Sequence, residues 1–531
     1  MWFFQDRIWS GSLPVEIGLI DFPRQSAFQV ADPLNALFAT PLIPVLGLTL
    51  TYTLLVVGHL VFSGVSAHLL SRYFFKDDRA GFVAGIGFLC APVLISGIHN
   101  GTSEAIAGGW LALCVLALLR FADHGGAKKG VLAAGALVLT CVGGWYAGVC
   151  AWIFWLSLLV VGRPEVSRRL VAKRMLLSGA LALVVVLPVA LSMSSSIDEG
   201  HQIGIKSQRE LKTVRRSTGP ADPVGWVASG DWRSPDFREI SRDNEEFIHS
   251  HYLGWTLILG AGWVFVRRRK GMGALALGGM AAGLLAMGPV IVRNGQAWVF
   301  SDGLVFPMPY FLVEGFPGFA SLSLLFRLGM LPMLVLCVAA SGVVFSWKKR
   351  WWVFALLVFV DLRLLSPVAG LPSVEKAGVS SVFKVLKNAP PGAVMNYPIV
   401  GGRPYLYEQT VHEKPVAGRL NLPNNHTSRK LWRVLGEVVS DSPDAARKKL
   451  RAVAKKSKTG DCQTIRRQCD YGEFRPTSQP DICRCFSGVR YLVVHQDALA
   501  RPDMHQNAVR WASEHLTVLA SDDKVKVIQL W

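Results

Sequence analysis

Residues 131–162 read VLAAGALVLTCVGGWYAGVCAWIFWLSLLVVG, and the number of times this run crosses a bilayer decides the fold. As one unbroken helix its 32 residues would extend roughly 48 Å, well beyond a hydrocarbon core of about 30 Å. Both flanks are basic, with Lys128 and Lys129 before the run and Arg163, Arg168 and Arg169 after it. Both ends therefore belong on one side of the membrane, and the number of crossings is even. Gly143 and Gly144 mark the break, so two short helices are expected to turn there.

Outward from this run, further apolar stretches fall at 48–70, 81–98, 103–119, 175–193, 252–266, 272–292, 328–345 and 351–365, making ten expected spans. With 51% hydrophobic and only 18% charged residues, the chain reads as an α-helical polytopic membrane protein. The basic connections, around Arg72 to Arg79, Arg120 to Lys128, Arg163 to Arg174, Arg267 to Lys270 and Lys348 to Arg350, alternate strictly with connections that are uncharged or mixed. The basic set is expected on the cytoplasmic side. The net charge of +19 is thus an orientation signal, and nucleic acid is not an expected partner. An integral inner-membrane location follows, with residues 1–47, the stretch 99–110, the loops 194–251 and 293–327 and everything after 365 on the outside. No cleavable signal peptide precedes Asp6. An outer N-terminal segment then needs an upstream span to carry it across, so Met1 is expected to lie within the first outer loop of a longer protein.

Three regions result: an outer segment 1–47, a transmembrane region 48–365 and a soluble region 366–531. In the last, charge rises, strand-like patterns appear at 392–395, 489–494 and 525–530, and 445–458 reads as a helix. A small α/β or α+β domain is expected. The basic run 447–458 is a solvated helix face or a surface attracted to anionic headgroups. Cys462, Cys469, Cys483 and Cys485 cluster here, which in an oxidising compartment suggests two disulfides. The C-x6-C and C-x-C spacings suit a zinc ribbon poorly.

Chemistry on the outer face calls for a carboxylate to take a proton and a cation to meet a leaving anion. The stretch HNGTSEAIAGGW, residues 99–110, places Glu104 in the expected first turn of a membrane helix, either as a functional acid or as a solvated group facing the helix dipole. Asp21, Asp32, Asp198 and Glu199 are the other candidate carboxylates; Asp21, Asp198 and Glu199 are also readable as solvated loop acids, and Asp32, before Pro33, also fits a helix cap. Arg327 opens the ninth span where a lipid phosphate would lie, unless it only snorkels to the interface. Glu245, Glu246, His249 and His251 leave a divalent metal open as a cofactor. The loop 293–327, with Phe306-Pro307-Met308-Pro309-Tyr310 and Gly315-Phe316-Pro317-Gly318-Phe319, is apolar enough to lie along the membrane and line a groove for an isoprenoid tail.

The arrangement resembles the GT-C superfamily of polytopic membrane glycosyltransferases, in particular bacterial members with a long first outer loop and a soluble C-terminal domain. The likeness is carried by Asp32-Pro33-Leu34-Asn35-Ala36-Leu37 with Pro41-Leu42, Asn100-Gly101 with Glu104 and Trp110, Tyr252-Leu253-Gly254, and Pro309-Tyr310 to Pro317-Gly318-Phe319 with Arg327. Tyr405 to His412 with Lys414-Pro415, and Val489 to His495, carry it in the soluble region. The resemblance implies a polyprenyl-phosphate sugar donor and a glycan or protein acceptor whose hydroxyl attacks the anomeric carbon outside the cytoplasm. It implies Asp32 or Asp21 as base, Glu104 as an orienting carboxylate, Arg327 at the donor phosphate, and His99, Asn100 and Tyr310 along the acceptor site or groove. The superfamily carries its base just after the first span, earlier in the loop than Asp21 or Asp32, so a chain lacking that span is expected to be inactive. A flippase for lipid-linked glycans and a non-catalytic envelope assembly protein are the alternatives; inverted repeats, the mark of many transporters, are not evident.

Overall fold

The computed structural model describes residues 33–194, 219–228, 250–267, 271–293, 304–314, 324–366, 378–398, 402–417, 442–456, 489–496 and 506–530, with a few shorter stretches between them. It divides into two compact units, one of residues 32–242 and 246–374, the other of residues 1–31, 243–245 and 375–531.

The first unit is helical. In order it contains α1 (Pro33–Ala39), α2 (Ile43–Phe75), α3 (Asp78–Leu89), α4 (Pro92–His99), α5 (Gly108–His124), α6 (Ala127–Gly143), α7 (Trp145–Val161), α8 (Arg168–Ser194), α9 (Trp255–Val266), α10 (Gly273–Ala286), α11 (Met330–Ser341) and α12 (Trp351–Val360). Four helical stretches, Ile43–Phe75, Asp78–His99, Arg168–Leu191 and Leu325–Trp347, are long and apolar enough to cross a membrane, and three shorter apolar helices accompany them. This is a membrane protein. The second and fourth of these stretches lie in the centre of the bundle, while the first and third leave most of their length uncovered. Val57, Val61 and Val65 on α2, and Leu177, Leu181 and Val184 on α8, are exposed, as hydrocarbon-facing side chains would be.

The run that opened the question is two packed helices. α6 ends at Gly143 and α7 starts at Trp145, with Gly144 between them in an extended conformation. A side chain on Gly144 would collide with the carbonyl oxygen of Glu104, so glycine is required by close approach. The break therefore sits directly against the 99–110 stretch.

At the opposite end of the bundle the basic connections come together. Arg163, after α7, bonds Asp123 near the end of α5 and Tyr73 near the end of α2, and donates to the carbonyl of Gly271 ahead of α10. The connections that hold Tyr73, Asp123, Arg163 and Gly271 thus meet at one end of the helical unit.

The second unit carries a four-stranded sheet of β1 (Ala393–Tyr397), β2 (Val489–His495), β3 (Thr517–Ser521) and β4 (Val525–Gln529) in the order β1-β2-β4-β3. β1 and β2 are parallel, and β4 is antiparallel to both β2 and β3. Helices α13 (Val382–Asn388), α14 (Gly402–His412), α15 (Pro443–Lys456) and α16 (Gln506–His515) complete it. Apolar side chains cover both sheet faces, with Met395, Leu492, Val494 and Trp511 in one cluster and Phe383, Tyr491, Val493 and Val527 in the other. Three strands and α15 fall within a few residues of expectation. β3 goes undetected because its side chains, TVLAS, are mostly exposed and do not alternate.

Candidate functional site

The 99–110 stretch folds as a tight link between α4 and α5. Gly101 takes a left-handed conformation (φ 59°), and the Thr102 amide donates back to Gly97 O at 2.9 Å. Ser103–Ile106 then form a single 3-10 turn before α5 starts at Gly108. Glu104 is expected in the first turn of the membrane helix; it lies instead in this separate turn, because the chain leaves helical geometry at Ala107 (ψ 21°) before α5 begins. The dipole of α5 therefore does not account for it. Its partner is Arg327.

Arg327 comes from another 3-10 turn, Leu325–Gly329, which leads into α11. Its side chain is only 4% exposed, against 38% for Glu104. Nη1 donates to Glu104 Oε1 at 3.0 Å and Nη2 to the Thr102 hydroxyl at 3.1 Å. The guanidinium carbon lies 5.3 Å from the centre of the Tyr146 ring, and the Tyr146 hydroxyl accepts the Leu324 amide at 2.8 Å. The Nε–H of Arg327 is buried, and among the described residues it has no hydrogen-bond partner. An arginine that merely snorkels would keep its head in water, and this one does not. A buried unpaired donor on a guanidinium is a vacancy suited to an anion.

Tyr310 belongs to the same neighbourhood. It is fully buried in the short helix Tyr310–Val313, and its hydroxyl donates to Phe319 O at 2.5 Å. Burial raises its pKa, with Tyr146 and Glu314 adding to the effect. Glu314, which sequence reasoning missed, is 7% exposed, and burial pushes its carboxyl up to about 7. A lone acid inside an apolar, Pro-rich loop was the available signal.

α1 lies at the same end. Leu34 approaches Gly143, and Phe38 stacks on Trp110 with ring centroids 6.4 Å apart. Asn35, fully buried, bonds His59 of α2 through its side-chain oxygen. His59 was also missed, since a single histidine inside an apolar run usually reads as a packed residue. Asp32 directly precedes α1, but Asp32 and Asp21 lie outside the described residues, as do Asp198, Glu199, Glu245, Glu246, His249 and the four clustered cysteines Cys462, Cys469, Cys483 and Cys485. The five described cysteines are all buried and free. Asn100 is buried in the turn that ends α4, and His99 is half-buried beside it.

Behind Arg327 lies a second polar group. The segment 219–228 docks here through Phe326 N to Gly219 O at 2.9 Å and Ala221 N to Ala286 O at 2.8 Å. Asp222, 2% exposed, accepts the Val224 amide on Oδ1 at 2.9 Å. His251, 4% exposed, bonds the Asp222 carbonyl through Nε2 at 2.8 Å, and its ring meets Trp226 edge-on with centroids 5.2 Å apart. Burial holds the His251 pKa below its usual value, while the Asp222 carbonyl and carboxylate oppose that shift. A side chain on Gly329 would touch both Trp226 and His251, which places the pair two residues along the chain from Arg327.

In the C-terminal unit, at the carboxyl end of β2, His495 faces Glu408 of α14 at 3.4 Å, with Tyr405 stacked on the imidazole. Burial pushes Glu408 up to about 8. Among the described residues no three of His, Cys, Asp and Glu gather as a metal site would require. Compared with known protein families and with curated proteins, the chain matches none.

Proposed function

We propose that the chain is a GT-C-like membrane glycosyltransferase of ten spans, moving a sugar from a polyprenyl-phosphate donor to an acceptor hydroxyl on the non-cytoplasmic face. The observation that carries this reading is Arg327, buried at the end of the bundle opposite the basic loops, with its Nε–H unpaired. In the reaction the acceptor oxygen bonds to the anomeric carbon as the bond from that carbon to the phosphate oxygen breaks. The lipid phosphate leaves with the electron pair, and the acceptor proton passes to a carboxylate. A cation fixed in a low-dielectric setting stabilises the charge that develops on the leaving group without reorganising. Glu104 and Thr102 hold the guanidinium in place, and the Asp32 that immediately precedes α1 is the proposed base, with Asp21 the second choice. The apolar loop around Tyr310 lines the path of the isoprenoid.

Transfer of labelled sugar from polyprenyl-phosphate donors, measured in membranes containing the chain, tests this reading. Activity that falls about 100-fold in Arg327→Ala and partly returns in Arg327→Lys supports it. Absence of transfer from several donors would leave the flippase and assembly readings.

A further inference from the structure

The C-terminal unit holds a polar pair for which the membrane reaction has no use. β1 has parallel chain on both sides: β2 pairs along one edge, and residues 415–417 lie along the other, through Val394 N to Pro415 O at 2.7 Å and Ala417 N to Val394 O at 2.8 Å. The chain leaving β1 passes through α14 and returns on that second edge, whereas the chain leaving β2 passes through α16 to β3, on the far side of β4. The two helices cover opposite faces of the sheet, Leu406 and Val411 of α14 packing with Phe383 and Val493, and Val509 and Trp511 of α16 with Leu492 and Val494. Where connections from neighbouring parallel strands part in this way, α/β sheets bind ligands at the carboxyl ends of those strands.

His495 ends β2 at that place and turns toward α14. Its Nε2 lies 3.4 Å from Oε2 of Glu408, the two side chains being 17% and 14% exposed. The Tyr405 ring stacks on the imidazole with centroids 4.6 Å apart, and its hydroxyl donates to the carbonyl of Pro398, just past β1, at 2.5 Å. Glu408 Oε2 is buried, and among the described residues it takes part in no hydrogen bond. A carboxyl oxygen buried in this way is costly until a ligand completes it. Neither an anion nor a metal ion suits the pair: among the described residues the only ion pair of Glu408 is with His495, and no third His, Cys, Asp or Glu joins them. Burial pushes Glu408 up to about 8, so at neutral pH it is largely an uncharged acid that donates as well as accepts. A hydroxyl does both and is its natural complement. Hydroxyls on neighbouring carbons of a sugar ring set two oxygens side by side, one to meet the carboxyl and one the imidazole. We propose that Glu408 and His495, with Tyr405 holding the imidazole in place, bind a neutral sugar through two adjacent hydroxyls. That this sugar belongs to the acceptor glycan rests on the transferase reading; the binding does not.

The full chain, purified in a detergent without a sugar headgroup, is mixed in turn with the methyl glycosides of glucose, galactose and mannose, with no donor present, and binding is read by saturation-transfer NMR. At least one glycoside is expected to bind, with affinity about tenfold weaker in Glu408→Ala and about threefold weaker in Tyr405→Leu. Glu408→Gln, which keeps an acceptor and a donor, should bind more tightly than Glu408→Ala. In the wild-type chain, a readout that needs no variant to fold, the same glycoside should slow the acylation of His495 by diethyl pyrocarbonate, followed by mass spectrometry, and leave that of His515 unchanged. The proposal is overturned if folded wild-type chain binds none of the three glycosides, if Glu408→Ala binds as the wild type does, or if His495 gains no protection. Binding with no transfer leaves this site standing and counts against the transferase reading; transfer with no binding does the reverse.

Discussion

Two arginines, one at each end of the helical unit, differ in whether Nε is paired among the described residues. At the basic end every nitrogen of the Arg163 guanidinium has a partner: Nε meets Asp123 at 2.7 Å, Nη1 meets Gly271 O at 2.7 Å, and Nη2 is shared between Tyr73 and Asp123 at 3.0 and 3.3 Å. At the other end Arg327 has partners for Nη1 and Nη2 and none for Nε. A complete network joins helix ends and asks for nothing more. An incomplete one, equally buried, carries a cost that a ligand can relieve. The two ends thus differ in kind, one clamping the helices together and the other holding a buried guanidinium nitrogen with no partner among the described residues.

The largest effect should come from breaking the clamp. Arg163→Ala strands Asp123 in a mostly buried setting and is expected to lower stability by about 3–5 kcal/mol, measured by thermal unfolding in detergent, with sugar transfer per folded molecule unchanged. Loss of specific activity with stability intact would erase the contrast between the ends. Arg327→Ala should do the reverse, reducing transfer about 100-fold, or near 3 kcal/mol, while the melting temperature moves little.

A smaller effect follows from Glu314, whose carboxyl titrates at about 7 in the folded protein against an ordinary 4.5. Between those values the folded state holds more protons than the unfolded state, so stability falls as pH rises through 4.5 to 7, by at most about 1.4 kcal/mol per pH unit. Melting curves across pH 4.5–8 should show this slope, and Glu314→Gln should flatten it and be the more stable protein at pH 8. An identical slope in the variant would assign the effect elsewhere. Smallest of all, Glu104→Gln should leave stability within about 1 kcal/mol, because the carboxylate is partly solvated. It should reduce transfer by about tenfold through a less firmly held Arg327, and a loss equal to that of Arg327→Ala would instead make Glu104 a direct participant.

Much of this architecture is written locally. The turn at Gly143 and Gly144 follows from a run too long for one crossing and basic at both flanks, and the strands Ala393–Tyr397, Val489–His495 and Val525–Gln529 follow from short β-branched and aromatic runs between turn residues. Glu104 and Arg327 were each legible as charged groups in apolar surroundings. Their pairing was not, since they lie 223 positions apart and nothing in either segment names the other. Glu314, His59 and Asp222 escaped notice for a related reason: an acid in a loop and a histidine in an apolar run look ordinary until their surroundings are known.

The sequence by itself determined that the chain holds long apolar helices, that the run 131–162 turns at Gly143 and Gly144, and that strands follow in its C-terminal part, because hydrophobic length and charge are properties of consecutive residues. Only the tertiary structure decided which polar groups are satisfied. That the Nε of Arg163 is paired while that of Arg327 has no partner among the described residues, and that His251 bonds the Asp222 carbonyl, depends on atoms brought together from distant segments, and hydrogen bonding is a count over neighbours in space.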